Sequence, residues 1–385
     1  MEFSIDQQYI DQTLADLVRI NSVNPSLSPA GQGEAQIGAY VANALTMLGL
    51  DVKTYELAPD RVNVVGILPG TGGGRSLLLN GHMDTVGVEG MDDPFGAEIR
   101  DGRVYGRGAQ DMKASLAAMM GVAKAFVDGG VRLAGDLLIT AVADEEYASI
   151  GMEHLVKTVT ADAAIVTEPT DLTLCRAHRG FIWYEVETTG RAAHGSRYAE
   201  GIDANMHMGR FLARLDLLEQ ELRQRAPHPL AGPPSLHAAL LQGGAEVSVY
   251  AASCHLTIER RTIPGETQDQ ATADLQAIID QLVAEDDTFK ATVKPTFRRE
   301  AHEISAEAPI VRTVEKAMAD RLGYKPAHSG QTFWTDAALL AEAGVDTMLV
   351  GPTGQGLHSA EEWVDLQSVA DLSAILVATA VDFCQ

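Results

Sequence analysis

The sequence predicts an α/β protein in two parts, a mostly parallel-sheet domain interrupted by an inserted ferredoxin-like domain. Three observations carry that expectation. At 385 residues the chain exceeds the roughly 250–300 at which one hydrophobic core usually splits. In its first half, short apolar runs alternate with helix-period segments, as in sheets whose parallel strands are joined through helices. From residue 179 to 298 the rhythm changes to β-α-β-β-α-β, the order of a split βαβ sandwich. Strand and helix signals resume after Ala308 and run to Cys384. An insertion explains this better than three domains in a row, with 1–178 and 299–385 forming one domain around 179–298.

Taken in order, Ile10, Leu14, Leu17 and Val18 recur at helical spacing, and a second helix is expected over 37–48. Residues 62–68 and 77–79 read as short strands. Between them lies Gly70-Thr71-Gly72-Gly73-Gly74, which runs from strand to strand. A phosphate-binding loop would run into a helix, so a hairpin turn is expected here. A long helix over 112–127, beginning near Asp111, precedes two buried strands at 137–142 and 163–166. Inside the insertion, strand 181–188 is followed by a helix carrying Met208, Phe211, Leu215, Leu218 and Leu222. Strands 235–241 and 254–263, a helix with Ala271, Leu275, Ile278 and Leu282, and strand 289–297 complete it.

Composition narrows the function. Apolar residues make up 46% of the chain, enough for a packed core, while 53 acidic residues face 29 Lys and Arg. The formal charge of −24 argues against nucleic-acid or anionic-membrane partners, which need a basic surface. Cys175, Cys254 and Cys384 show no CxxC spacing, so neither a disulfide framework nor a zinc ribbon is expected. Reduced thiols fit the cytoplasm. No basic-then-apolar leader opens the chain, and no run approaches 18 uninterrupted apolar residues.

The chemistry gathers at the ends of apolar strands. Asn80-Gly81-His82-Met83-Asp84 places a histidine and an acid two apart, where an imidazole can donate its second N–H to a carboxylate. Taken alone, the pair reads as an ordinary surface histidine. In Gly106-Arg107-Gly108-Ala109-Gln110-Asp111, the acid opens a helix, and it either caps that helix or bridges cations. The strand 137–142 runs into Asp144-Glu145-Glu146, three acids that are costly to bury without cations. Neighbouring strand residues face opposite ways, so Glu145 and Glu146 are expected to do different jobs. Strand 163–166 ends at Glu168, and strand 347–351 leads to His358. That rim is where open α/β sheets place their sites.

In these ordered motifs the chain resembles the metallopeptidases that include acetylornithine deacetylase, succinyl-diaminopimelate desuccinylase, aminoacylase and carboxypeptidase G. The resemblance spans essentially the whole chain. It implies two divalent ions, Zn²⁺ by family default with Co²⁺ or Mn²⁺ compatible. His82 and Glu168 would bind one ion, Glu146 and His358 the other, and Asp111 would bridge them. Asp84 would support His82, and Glu145 would be the general base. Two doubly charged cations suit the three carboxylates Asp111, Glu146 and Glu168.

The inserted domain would serve as a lid and as the surface of a homodimer. Gly190-Arg191-Ala192-Ala193-His194-Gly195-Ser196 resembles the family segment whose histidine stabilises the oxyanion across the dimer, which points to His194. Glu259-Arg260-Arg261-Thr262-Ile263-Pro264-Gly265 matches the segment whose arginine holds a substrate carboxylate, here Arg261. The stretch Thr335-Asp336-Ala337 also matches. A departure follows Gly243-Gly244: the family's Asn-x-x-Pro-Asp stretch is replaced, leaving Ser248 or Tyr250 to stand for its asparagine. The implied activity is hydrolysis of an N-acyl amino acid. A di- or tripeptidase using the same site is the nearest rival. An inactive metal-binding dimer would have no use for Glu145, and a zinc deaminase would need the missing Pro-Cys-x-x-Cys.

Overall fold

The computed structural model describes residues 3–385. Two compact units divide the chain. One comprises Met1–Arg176, Ile304–Ser329 and Thr335–Gln385, and the other Ala177–Glu303 with Gly330–Trp334.

In the first unit the sheet runs in the order Asp51–Ala58, Arg61–Leu68, Leu137–Val142, Leu77–His82, Ala163–Val166, Asp346–Leu349, Leu174–His178. Its middle strands are parallel: Leu77–His82 pairs with Leu137–Val142 and Ala163–Val166, and Asp346–Leu349 joins Ala163–Val166. Every residue of Leu77–His82 and Leu137–Val142 is buried, which is why these strands read as unbroken apolar runs. Leu79 and Ile139 face a layer holding the helices Gln7–Arg19, Ala114–Asp128 and Leu366–Phe383. Leu78 and Leu138 face the opposite layer, with Met152, Leu155 and Leu340. The helix Leu366–Phe383 is long and apolar enough to cross a bilayer, but Leu372, Ile375, Leu376 and Phe383 are core residues.

Two sequence expectations are corrected here, and one unforeseen strand is added. The Gly70–Gly74 run is not a hairpin turn, because Leu137–Val142 lies between the strands it joins. Its glycines allow backbone to lie on backbone: a Cβ at Gly70 would sit 2.4 Å from the Ala134 carbonyl oxygen. Arg61–Leu68 instead forms its hairpin with Asp51–Ala58. That strand escaped notice because it is a largely exposed edge carrying Asp51, Lys53 and Glu56, as edge strands commonly do. Finally, regular helix begins at Ala114, since Asp111 (φ −116°, ψ 93°) and Met112 (φ −134°, ψ 37°) are not helical.

The second unit has the β-α-β-β-α-β order that the sequence predicts. Its antiparallel sheet runs Ser235–Gly243, Ser253–Thr262, Gly180–Thr189, Ala291–Arg299. The helices Ala204–Gln224 and Gln268–Glu285 pack with Ile182, Tyr184, Val186, Leu256 and Ile258. Strict alternation along Gly180–Thr189 buries those residues and leaves Phe181 and Trp183 half-buried on the other face. The Asp203 carboxylate caps the first helix, and a Thr267–Gln270 capping box starts the second.

Candidate metal centre

Because the middle strands are parallel, their carboxyl ends share one rim, and the predicted side chains of the first unit lie along it. His82 is the last residue of its strand and is buried. Its Nδ1–H donates to the Asp84 carbonyl oxygen at 2.9 Å, which turns Nε2 towards the carboxylates. Nε2 lies 3.0 Å from Asp111 Oδ1 and 3.7 Å from Glu168 Oε1. The Asp84 carboxylate, 3.6 Å from Nδ1, accepts the backbone N–H groups of Glu145 (3.1 Å) and Glu146 (3.3 Å). It therefore ties the first motif to the third.

Glu145 and Glu146 do not diverge as strand neighbours would. The strand ends at Val142, and Asp144 (φ 70°) turns the chain, so both follow a bend. Glu145 shares donor distances within 4.8 Å with His82 and Glu168, and Glu146 does so with His82 and Asp111. His358, in the left-handed region at φ 57°, brings Nε2 to 3.1 Å from Glu146 Oε2 and 3.3 Å from Asp111 Oδ2. Asp111 thus faces His82 with one oxygen and His358 with the other.

Two residues that sequence reasoning missed organise the Asp111 loop. The buried Glu362 carboxylate accepts the backbone N–H groups of Gly108, Gln110 and Asp111 at 2.8–3.0 Å. It also pairs with Arg107 at 2.6 Å, while Arg107 Nη2 donates to the Ser359 carbonyl beside His358. The available signal was an acid four residues beyond His358 and an arginine held between Gly106 and Gly108.

Left to itself, this cluster is electrostatically costly. Burial and the Glu168 carboxylate push Glu145 well above the ordinary carboxylate range. Burial likewise raises Glu168, and burial with the nearby Asp111 charge raises Glu146. Hydrogen bonds with Asp111 and Glu146 hold His358 up at about 10. Two like charges 4 Å apart repel by about 4 kcal/mol at an effective dielectric of about 20. A typical hydrogen bond returns only about 1 kcal/mol net. Cations are the natural compensation, and Glu146 Oε1, buried without a hydrogen-bond partner, is an oxygen ready for one. The mixed nitrogen and oxygen donors suit divalent ions of the zinc and cobalt kind.

His194 and Arg261 belong to the second unit. His194 is exposed, its Nδ1 lies 2.8 Å from Ser196 Oγ, and its backbone bridges to Val249. The departure at 248–250 therefore sits beside the His194 segment. Tyr250 N–H donates to the Ala193 carbonyl, and Gly195 N–H to that of Ser248. Arg260 is buried and spent on Glu266 and on the Arg261 carbonyl oxygen. Arg261 keeps 30% of its side chain exposed, steadied by Glu259 at 2.6 Å and lying over the Phe181 ring. Between the two, Arg261 is the guanidinium that a solute can reach.

An open α/β sheet whose carboxyl rim gathers two histidines and several carboxylates defines a metallohydrolase. Residues 78–382 match Peptidase family M20/M25/M40, and the chain belongs to that family. It is accordingly an enzyme of amide or peptide C–N bonds. It is 28% identical over 384 residues to an acetylornithine deacetylase of Myxococcus xanthus, covering 97% of each chain. It is also 26% identical to an N-formyl-4-amino-5-aminomethyl-2-methylpyrimidine deformylase of Bacillus subtilis, covering 93% of this chain and 91% of that one. Among solved structures, the aminopeptidase PepT of Bacillus cereus superposes with a TM-score of 0.81 at 18% identity, over 98% of this chain and 99% of that one.

Proposed function

We propose that this chain removes a small acyl group from an N-acyl amino acid, using two divalent metal ions, most fittingly Zn²⁺. The observation that carries the reading is Asp111, whose two oxygens face His82 and His358 at 3.0 and 3.3 Å. In this assignment His82 and Glu168 hold one ion, Glu146 and His358 the other, and Asp111 is shared. Such a pair supplies Lewis acidity and lowers the pKa of coordinated water towards roughly 7.

Glu145 is left over once the ligands are assigned, and it is the general base. It accepts a proton from the attacking water and delivers it to the leaving amine nitrogen as the C–N bond breaks. The acyl group departs as a carboxylate. Arg261 forks onto the carboxylate of the amino-acid part, a needed attraction in a chain of net charge −24. His194 donates to the carbonyl oxygen as negative charge develops on it.

A homodimer through the second unit completes the reading, with one protomer's His194 serving the other's site. Supporting it, the edge strand Ser235–Gly243 exposes Leu240 and Leu241, and Val247 and Val249 are exposed nearby. An uncovered apolar edge of that length invites strand pairing. The three cysteines are all buried, in keeping with a cytoplasmic enzyme. A deacylase is favoured over a peptidase because both curated relatives are named for removing a small acyl group. The test is a hydrolysis screen of N-acetyl, N-formyl and N-succinyl amino acids against free-amine dipeptides, with metal analysis alongside. Turnover confined to the dipeptides would make the enzyme a peptidase instead.

A further inference from the structure

We propose that Asn24, Glu34 and Arg61 are positioning residues that set Glu145 and Glu146 through a buried brace. The inference rests on the two-ion reading above. None of the three lies on the parallel-strand rim, and their hydrogen bonds go to Asp84 and Asp144, not to the assigned ligands.

The brace is built around a backbone conformation that must be held. Asp144 sits at φ 70°, and this turn lets two consecutive glutamates follow the strand Leu137–Val142 towards His82. Each polar group of Asp144 is used to hold it there. Its N–H donates to Glu34 Oε1 at 3.2 Å, and its carbonyl accepts the Ser149 N–H at 2.6 Å. Its Oδ1 accepts Arg61 Nη2 at 2.6 Å and Asn24 Nδ2 at 2.9 Å, while Oδ2 accepts the Ile150 N–H.

Arg61 grips Glu34 with two nitrogens, at 2.6 and 3.0 Å, so one guanidinium spans two carboxylates. Asn24 spans a different pair. The same Nδ2 that reaches Asp144 also donates to Asp84 Oδ2 at 2.8 Å, and Asp84 in turn holds the N–H groups of Glu145 and Glu146. All of these side chains are buried, where a planar fork of fixed donors restrains position far better than exposed groups would.

The consequence is selective. The Asp111 loop and the turn at His358 have their own brace in Arg107 and Glu362. His82 is fixed by its strand and by the Asp84 carbonyl. Loosening Asn24 or Arg61 therefore acts mainly on Glu145 and Glu146, because the Asp84 carboxylate that Asn24 holds is 3.6 Å from His82 Nδ1, whose hydrogen bond goes to the Asp84 backbone carbonyl. The ion held by Glu146 and His358 weakens, and proton transfer by Glu145 slows. The ion held by His82 and Glu168 stays near its original affinity.

The test uses the full-length apoprotein titrated with Co²⁺, read by its visible absorption, together with kcat and KM of the reconstituted enzyme. Asn24→Ala removes the donor to Asp84 and Asp144 without touching the Arg61–Glu34 pair. Arg61→Lys preserves the charge but loses the fork. We expect one of the two binding steps to weaken by about 10–100-fold in either variant, the usual loss for an outer partner of a metal site. The other step should stay within a few-fold, and kcat should fall with KM nearly constant. Unchanged isotherms with unchanged kcat would overturn the inference. So would equal weakening of both steps accompanied by a lower Tm, which marks a merely structural role. If the unaltered protein bound no pair of ions, the two-ion reading itself would fail and take this inference with it.

Discussion

The two units prepare their chemistry in opposite ways. On the first unit's rim, His82, Asp84, Asp111, Glu145, Glu146 and Glu168 are held by strand ends and by backbone N–H groups donated to buried carboxylates. In the second unit, His194 stands exposed on a loop, and Arg261 is steadied by a single carboxylate. The first arrangement is preorganised, because strand ends and buried hydrogen bonds fix its donors. The second is suited to groups that meet a substrate. On the proposed assignment the metal ligands all come from one unit while turnover also calls on the other, so each half should fail in its own manner.

The sharpest break is expected at Glu145. Glu145→Gln should retain both ions by elemental analysis and lose about 10²–10⁴-fold in kcat, the usual contribution of a general base. Retained activity with intact metal content would remove Glu145 from its role. Next comes His194→Ala, for which a fall of about 10²–10³-fold in kcat is expected, as for an oxyanion donor. Metal content and Tm should stay unchanged because the side chain is exposed. Mixing His194→Ala with Glu145→Gln protomers should recover activity by assembling an intact site, and no recovery would disprove the cross-subunit assignment.

Arg261→Lys should act mainly on KM. A charge-assisted fork contributes about 1.5–3 kcal/mol, so kcat/KM should drop about 10–100-fold for carboxylate-bearing substrates. An equal loss on an amidated analogue would show that Arg261 reads something else.

The last break is read in stability, through pH. Burial and the neighbouring His302 push His178, at the end of the strand Leu174–His178, down to about 3. The unfolded chain takes up that proton near pH 6.5, so stability is full above 6.5 and lost as pH falls towards 3. The slope should be about 1.4 kcal/mol per pH unit in that window, read as denaturant midpoints. A slope that His178→Gln leaves unaltered would assign it to other groups.

How much of this was legible follows from burial and sequence distance. The strands Leu137–Val142 and Ala163–Val166 announced themselves because they are buried on both faces and so carry only apolar or small residues. The edge strand Asp51–Ala58 has a solvated face and charged residues, so its pattern resembled a loop. Among site residues, each acid or histidine placed just after an apolar strand stood out. Glu34, Arg61, Arg107 and Glu362 did not, since each lies in an ordinary polar context and meets its partners from far along the chain. Arg107 and Glu362, for example, are 255 residues apart.

Periodicity and the order of the motifs were therefore enough to establish the α/β class, the inserted β-α-β-β-α-β unit and the family, because local spacing decides which faces can be buried. What folding alone decided was the aim of the side chains. Glu145 and Glu146 reach the same histidine because Asp144 turns through φ 70° under the grip of Arg61 and Asn24. The local N–H groups of Ser149 and Ile150 help to hold that turn, but Asn24, Glu34 and Arg61 reach it from distant segments and act only once they are packed together.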